Sequence, residues 1–208
     1  MTKPRWDVFF EETVRALFIS GARILDIGAG LRVDAVRGNV VDPKNEWIKP
    51  LLEKLDYKVM DLVDTYHPDI VGDVMAIPLP DNQFDVITCL AVLEHVSRPW
   101  DAAKEMYRVL KPGGSLLLYV PFLFPFHAMP GYYTDYFRYT DEGIRSLLGQ
   151  FINIKIEPVR GPVETLVHFL PKWFGENVVH AAARWLDSRR ASSGKQTAGY
   201  YAVARKPV

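Results

Sequence analysis

The chain has 208 residues, 49% hydrophobic and 24% charged, enough for one globular domain with a full-sized core. Its 25 Lys and Arg balance its 25 Asp and Glu, so a whole-molecule attraction to nucleic acid is not expected. The single cysteine, Cys89, excludes an intrachain disulfide and a cysteine-based metal cluster, and a polar start (residues 1–7) with no apolar run of ~18 residues points to a soluble cytoplasmic protein.

Residues 7–20 predict a helix, with Val8, Phe9, Val14, Leu17 and Phe18 apolar and Gly21 closing it. Ile24, Leu25 and Ile27 then form a short buried strand, interrupted by the carboxylate of Asp26. Gly28 and Gly30 let the chain turn sharply and let a ligand approach the backbone. Such a turn lies at the edge where open α/β sheets bind ligands. A dinucleotide fingerprint would need glycine where Val33 stands. Residues 31–41 show no clean period.

Asp42 and Pro43 predict a helix start, Asp as cap and Pro at the first position. Trp47, Ile48, Leu51, Leu52 and Leu55 follow at helical spacing, with Pro50 breaking or restarting the helix. Residues 57–60 form a second strand closed by Asp61, and residues 68–73 a third that ends in Asp73. The fourth strand is 84–89, after the turn residues Pro80, Asp81 and Asn82. A helix from Pro99 carries Trp100, Ala103, Tyr107 and Leu110 and stops at Lys111-Pro112-Gly113-Gly114. Residues 115–120 are the fifth strand. Strands alternating with helices imply a parallel sheet covered on both faces. Asp26, Asp61 and Asp73 then share one edge of it and converge on one ligand.

From Pro121 the character changes. Phe122, Phe124, Phe126, His127, Tyr132, Tyr133, Tyr136, Phe137, Arg138 and Tyr139 crowd together, and Pro121, Pro125, Pro130 and Gly131 forbid a long regular element. Aromatic walls with a few polar groups suit a small-molecule pocket. A short helix is expected over 141–148, a strand over 151–157, amphipathic helices over 163–173 and 178–186, and a last strand over 200–204.

The words Val71-Gly72-Asp73, Leu79-Pro80-Asp81-Asn82-Gln83-Phe84-Asp85-Val86-Ile87, Val92-Leu93-Glu94-His95-Val96 and Arg108-Val109-Leu110-Lys111-Pro112-Gly113-Gly114 occur in that order. Together with Asp26-x-Gly28-x-Gly30 they resemble the type 11 branch of class I S-adenosylmethionine-dependent methyltransferases. In that first motif Arg32 stands where a third glycine is frequent. His127-x-x-Pro130 with Asp135-Tyr136-Phe137-Arg138-Tyr139-Thr140 is similar to a subset associated with polysaccharide and surface-glycan biosynthesis.

The resemblance implies an α/β, Rossmann-like doubly wound sheet of seven strands, mostly parallel with an antiparallel last strand, helices on both faces and an aromatic lid after strand five. It implies one methyltransferase domain over 1–208: a cofactor-binding half 1–120, lid and helical additions 121–198, and the last strand 199–208. S-adenosylmethionine is the implied cofactor. Gly28 and Gly30 would meet its methionine part, with Asp26 orienting the loop and the amino group. Asp61 would accept from the ribose hydroxyls, Asp73 and the Val74 backbone would hold adenine, and Leu90 would line the site. Glu94 and His95 fall in a stretch that is mostly architectural in the family.

A hydroxyl acceptor needs a base. His127 is the first candidate, its ordinary pKa near 6.5 being suited to the task; Asp135 and Tyr133 follow. Arg138 is expected to hold an anionic or sugar-like substrate by bidentate bonds, with Tyr136 and Phe126 as walls. No metal set is expected. The leading function is methyl transfer to a small molecule or glycan precursor, at oxygen. Two alternatives stay open: a non-catalytic module that binds the cofactor, and a membrane-surface enzyme of a lipid-linked substrate. The last rests on Leu166, Val167, Phe169, Leu170, Trp173, Phe174, Val178, Val179, Ala182, Trp185 and Leu186 beside Arg184, Arg189 and Arg190. That is the pattern of an interfacial helix, though packing on the sheet or on a second copy in a homodimer is commoner.

Overall fold

The computed structural model describes residues 3–33, 41–167, 169, 176–188 and 194–208. Seven strands form one sheet: β1 (Arg23–Ile27), β2 (Asp56–Asp61), β3 (Ile70–Val71), β4 (Phe84–Leu90), β5 (Leu110–Pro121), β6 (Ile152–Val159) and β7 (Gly199–Arg205). Their order is β3-β2-β1-β4-β5-β7-β6. The first five run parallel, and β7 is antiparallel to both of its neighbours. The doubly wound fold and its antiparallel last strand are as the resemblance implied.

The sheet is buried on both faces because its strands alternate between two cores. Ile24, Val86 and Leu117 face α1 (Arg5–Leu17), which buries Phe10 and Val14 against them. Leu25, Ile87 and Leu116 face the other way, onto Ala102, Ala103, Met106 and Val109 of the later helix Pro99–Val109. In chain order the remaining helices are α2 (Lys49–Leu52), α3 (Pro99–Val109), α4 (Asp141–Leu147), α5 (Pro162–Val167) and α6 (Glu176–Ser188).

Several boundaries differ from the sequence expectation for local reasons. α1 closes at Phe18, whose N–H bonds Val14 O, before Gly21 is reached. Asp42 caps a 3-10 turn, accepting from Lys44 N, and Pro50 stands in the first turn of α2, so the helix restarts there. β3 has only two residues, and below it Asp69 substitutes a side-chain acceptor for a ladder partner, taking Val59 N–H at 2.8 Å. β5 begins five residues early, since the Gly113–Gly114 pair lies in a bulge between the pairings Phe84↔Leu110 and Val86↔Ser115.

α5 and α6 pack on each other around Glu164, which is buried and accepts from Arg184 Nη2 at 2.7 Å. Asp187 accepts from Val163 N and Glu164 N at the start of α5. Leu166, Phe169, Trp185 and Leu186 stay exposed. Leu170, Trp173, Phe174, Arg189, Arg190 and the side chain of Val178 lie outside the described residues. Among the described residues no helix is long and apolar enough to cross a membrane.

Candidate active site

The site starts at the turn after β1. Asp26 is fully buried, and its carboxylate accepts from Thr88 Oγ1 (2.7 Å), Tyr57 OH (2.7 Å) and Leu31 N (3.3 Å). It is tied to the turn from behind and does not line the cleft. Burial outweighs these bonds and raises its pKa to about 6. Gly28 takes φ +76°, and a Cβ on it would stand 2.5 Å from Val92 Cγ2. A Cβ on Gly30 would meet Leu90 Cβ at 2.7 Å and Leu90 O at 2.8 Å. Only glycine lets the turn press so closely on the end of β4. Arg32 keeps the glycine conformation, at φ 50°.

Asp61 and Asp73 stand at the ends of β2 and of the stretch after β3. Each fixes its own loop with Oδ1 alone, Asp61 taking Val63 N at 3.2 Å and Asp73 taking Met75 N at 2.8 Å. Gly28, Gly30, Asp61, Asp73, Val74 and Leu90 line one cleft of about 1590 Å³. So six of the seven residues expected at a cofactor line this cleft, and Asp26 does not.

Residues of the segment 121–140 and the end of β4 also line the cleft. His127, Tyr133 and Tyr136 line it, with His95. Asp135 and Arg138 do not. All five guanidinium donors of Arg138 are used inside the segment: Nε to Phe124 O (3.2 Å), Nη1 to Phe137 O (2.8 Å) and Asp135 Oδ1, and Nη2 to Pro125 O (2.9 Å) and Asp135 Oδ2 (2.7 Å). The buried Asp135 carboxylate also takes His127 N–H at 2.9 Å, and Arg138 holds its pKa below the usual carboxylate range. The pair therefore clamps the segment. Phe126 points outward, 76% exposed, and is not part of the wall.

Behind the two histidines lies Glu94, 1% exposed. Burial pushes its pKa up to about 7. Its Oε1 is 3.8 Å from His127 Nε2 and 3.9 Å from His95 Nε2, and its Oε2 has no hydrogen-bond partner among the described residues. Its backbone carbonyl accepts from Tyr136 N (2.7 Å) and Phe137 N (3.2 Å), which docks the aromatic segment on the β4 end. The sequence reading left Glu94 and His95 as architecture. Their only signal was the motif that contains them, and the approach of His127 joins segments 33 and 32 residues apart.

Residues 38–118, less than half of the chain, match the family model described as a methyltransferase domain. A ubiquinone biosynthesis O-methyltransferase of Pseudomonas putida (strain W619) is 33% identical over 102 residues, 47% of this chain and 44% of that protein. The match thus spans less than half the length of that relative. Among solved structures, an S-adenosylmethionine-dependent methyltransferase from Archaeoglobus fulgidus superposes with a TM-score of 0.60 at 18% identity, covering 96% of this chain and 94% of the other. A Haemonchus contortus phosphoethanolamine N-methyltransferase 2 in complex with S-adenosyl-L-methionine gives 0.58 at 16%, covering 98% and 53%. The chain has the fold of the S-adenosylmethionine-dependent methyltransferases.

Proposed function

We propose that the protein is an S-adenosylmethionine-dependent methyltransferase acting on a hydroxyl of a small molecule. The observation that carries this is the cleft wall itself. The glycine turn faces two strand-end carboxylates that keep one oxygen clear of their own loops, all in a methyltransferase fold. Those donor types fit the cofactor: Asp61 for the ribose hydroxyls, Asp73 and the Val74 backbone for adenine, Gly28 and Gly30 for the methionine end, and Leu90 for packing. Bound there, the cofactor supplies a methyl group on a sulfonium, whose departure leaves a neutral sulfide. The chain's own part is alignment, exclusion of water and removal of the acceptor's proton.

The cleft of about 1590 Å³ exceeds the ~300–1,000 Å³ of a single small-molecule pocket, which leaves room for an acceptor beside the cofactor. His127, with His95 and Glu94 around it, is the proton-handling group. Oxygen as the methylated atom is supported by the name of the Pseudomonas relative. A glycan-precursor acceptor is supported only by the resemblance of residues 127–140. Exposed Leu166, Phe169, Trp185 and Leu186 support a second reading, an enzyme on a membrane surface or one paired with a second copy through that face. Salt-sensitive sedimentation with anionic vesicles separates these two.

Calorimetry tests the cofactor. Wild-type protein is expected to bind S-adenosylmethionine and S-adenosylhomocysteine. Asp61→Ala should weaken both by ~1.5–3 kcal/mol, the worth of hydrogen bonds to a charged group. His127→Ala should leave that affinity intact and lower turnover ~10²-fold. Absence of heat with wild-type protein ends the reading; binding without turnover on any hydroxyl acceptor favours a cofactor-binding module.

A further inference from the structure

We propose that Glu94, His95 and His127 are the ligands of a divalent metal ion, Zn²⁺ by their chemistry, that pins the aromatic segment to the end of β4. The two imidazoles are oriented for it. His95 Nδ1 lies 2.8 Å from Thr134 O, and His127 Nδ1 lies 3.0 Å from Pro125 O. A carbonyl only accepts, so each Nδ1 carries a proton, and a metal-binding ring with Nδ1–H presents its lone pair at Nε2. Both lone pairs converge on Glu94 Oε1, at 3.9 and 3.8 Å. Nitrogen lone pairs facing a carboxylate repel unless a cation stands between them. Donation of the second ring nitrogen to a backbone carbonyl is also the usual way a metal-bound histidine is held.

The charge of the carboxylate is a second observation. Glu94 is 1% exposed and its Oε2 has no hydrogen-bond partner among the described residues, a costly state for a buried carboxylate. Arg138, whose charge acts on Glu94, has every N–H engaged with Asp135 and with carbonyls of its own segment. One nitrogen from each ring and one carboxylate oxygen lie within 4.8 Å of one another. Tetrahedral ligands on bonds of about 2.1 Å stand roughly 3.4 Å apart, so small side-chain shifts close the set. Two imidazoles and a carboxylate suit Zn²⁺. Three protein ligands leave a further coordination position. Because His95 and His127 line the cleft, an acceptor oxygen can reach that position; with the ion bound, the metal's lowering of the acceptor's pKa would take the place of a free His127 imidazole in removing its proton. This last point rests on the methyl-transfer reading; the metal site does not.

The competing account is a proton, carried by Glu94 or by one imidazole, and no metal. Titration of the chelator-treated full chain with Zn²⁺ decides between them, with metal content measured after gel filtration. The expected result is one Zn²⁺ per chain, weakened tenfold or more by each of Glu94→Gln, His95→Ala and His127→Ala and unaffected by His67→Ala away from the cleft. Hydrogen exchange over 124–137 should slow on adding Zn²⁺ to wild type and not to His127→Ala. Should Glu94→Gln fail to fold, His127→Ala, on an irregular surface segment, still gives the answer. Substoichiometric uptake by wild type, or uptake that survives both Glu94→Gln and His127→Ala, overturns the site. Neither result touches cofactor binding, which calorimetry reads separately.

Discussion

Asp26 sits at a ligand edge and yet touches no ligand wall. Thr88 donates to one of its oxygens, and Tyr57 and Leu31 to the other. These bonds hold the glycine turn against β4, so the residue positions a site it does not line. Its folded pKa of about 6 is raised above the ordinary 3.8, burial being the larger cause. The folded state therefore binds more protons than the unfolded one between about pH 4 and 6. The corresponding stability is fully present below pH 4 and is lost as pH rises through 6, by roughly 3 kcal/mol. Asp26→Asn removes this slope, and the Thr88 and Tyr57 hydroxyls can turn to accept from the amide. Urea denaturation of both proteins from pH 4 to 7 should shift the difference toward the variant by roughly 2–3 kcal/mol. A difference independent of pH would show that Asp26 does not titrate as a buried acid. From the sequence, Asp26 was legible as a carboxylate beside a turn. Its partners, 31 and 62 residues away, were not, and they are what turn it from the ligand toward the core. Arg32 is the opposite case: the expected glycine is absent, but its conformation is kept at φ 50°.

The aromatic segment was legible as an element and not as a mechanism. Its prolines and aromatics announced an irregular wall near the ligand edge, and His127, Tyr133 and Tyr136 do line the cleft. Arg138 and Asp135 drew attention as charged residues among aromatics, and a sequence points such residues at substrate. In space they point at each other and at three backbone carbonyls. An irregular segment lacks ladder partners for its carbonyls, and a guanidinium with five fixed donors supplies them. Arg138→Ala leaves the buried Asp135 carboxylate without its counter-charge, at a cost of about 2–3 kcal/mol given the partial exposure of the pair. Hydrogen exchange over 122–139 should accelerate and the acceptor KM should rise, while cofactor affinity stays put. Arg138→Lys should fall between, since an ammonium can pair with Asp135 but cannot span the carbonyls. Exchange and KM at wild-type values in Arg138→Ala would dismiss the clamp. Regular elements were easier to read: β1, β2, β4, β6 and β7 fall within two residues of expectation because period and apolar runs specify them. β3 shrinks from six expected residues to two and β5 starts five residues early, where a side chain or a bulge replaces ladder pairing.

Across the whole molecule, β7 comes last in sequence and lies inside the sheet. Residues 199–205 pair with 115–121 on one side and with 152–159 on the other. The pairing continues into the aromatic segment, where Phe122 N donates to Ala198 O and Leu123 N to Thr197 O. Ala202 and Ala204 are buried in the same core as Ile87 and Met106. Beyond the strand, Lys206 Nζ donates to the carbonyls of Tyr107 (2.8 Å) and Leu110 (2.7 Å), closing the C-terminal end of α3, while Gly113 N returns a bond to Lys206 O. The segment after residue 198 thus holds β5, β6, α3 and the aromatic wall in one cooperative unit. The 208-residue chain is expected to melt in a single transition. Removing residues 199–208 opens the edges of β5 and β6 together and should abolish that transition and cofactor binding with it. The milder Lys206→Ala leaves the α3 carbonyls without a charged donor and should cost about 1.5–3 kcal/mol. At about 2–4 °C per kcal/mol for a chain of this length, calorimetric melting resolves the loss. If the truncated chain still melts cooperatively and binds cofactor, residues 1–198 fold without the last strand, and that strand is an accessory to them.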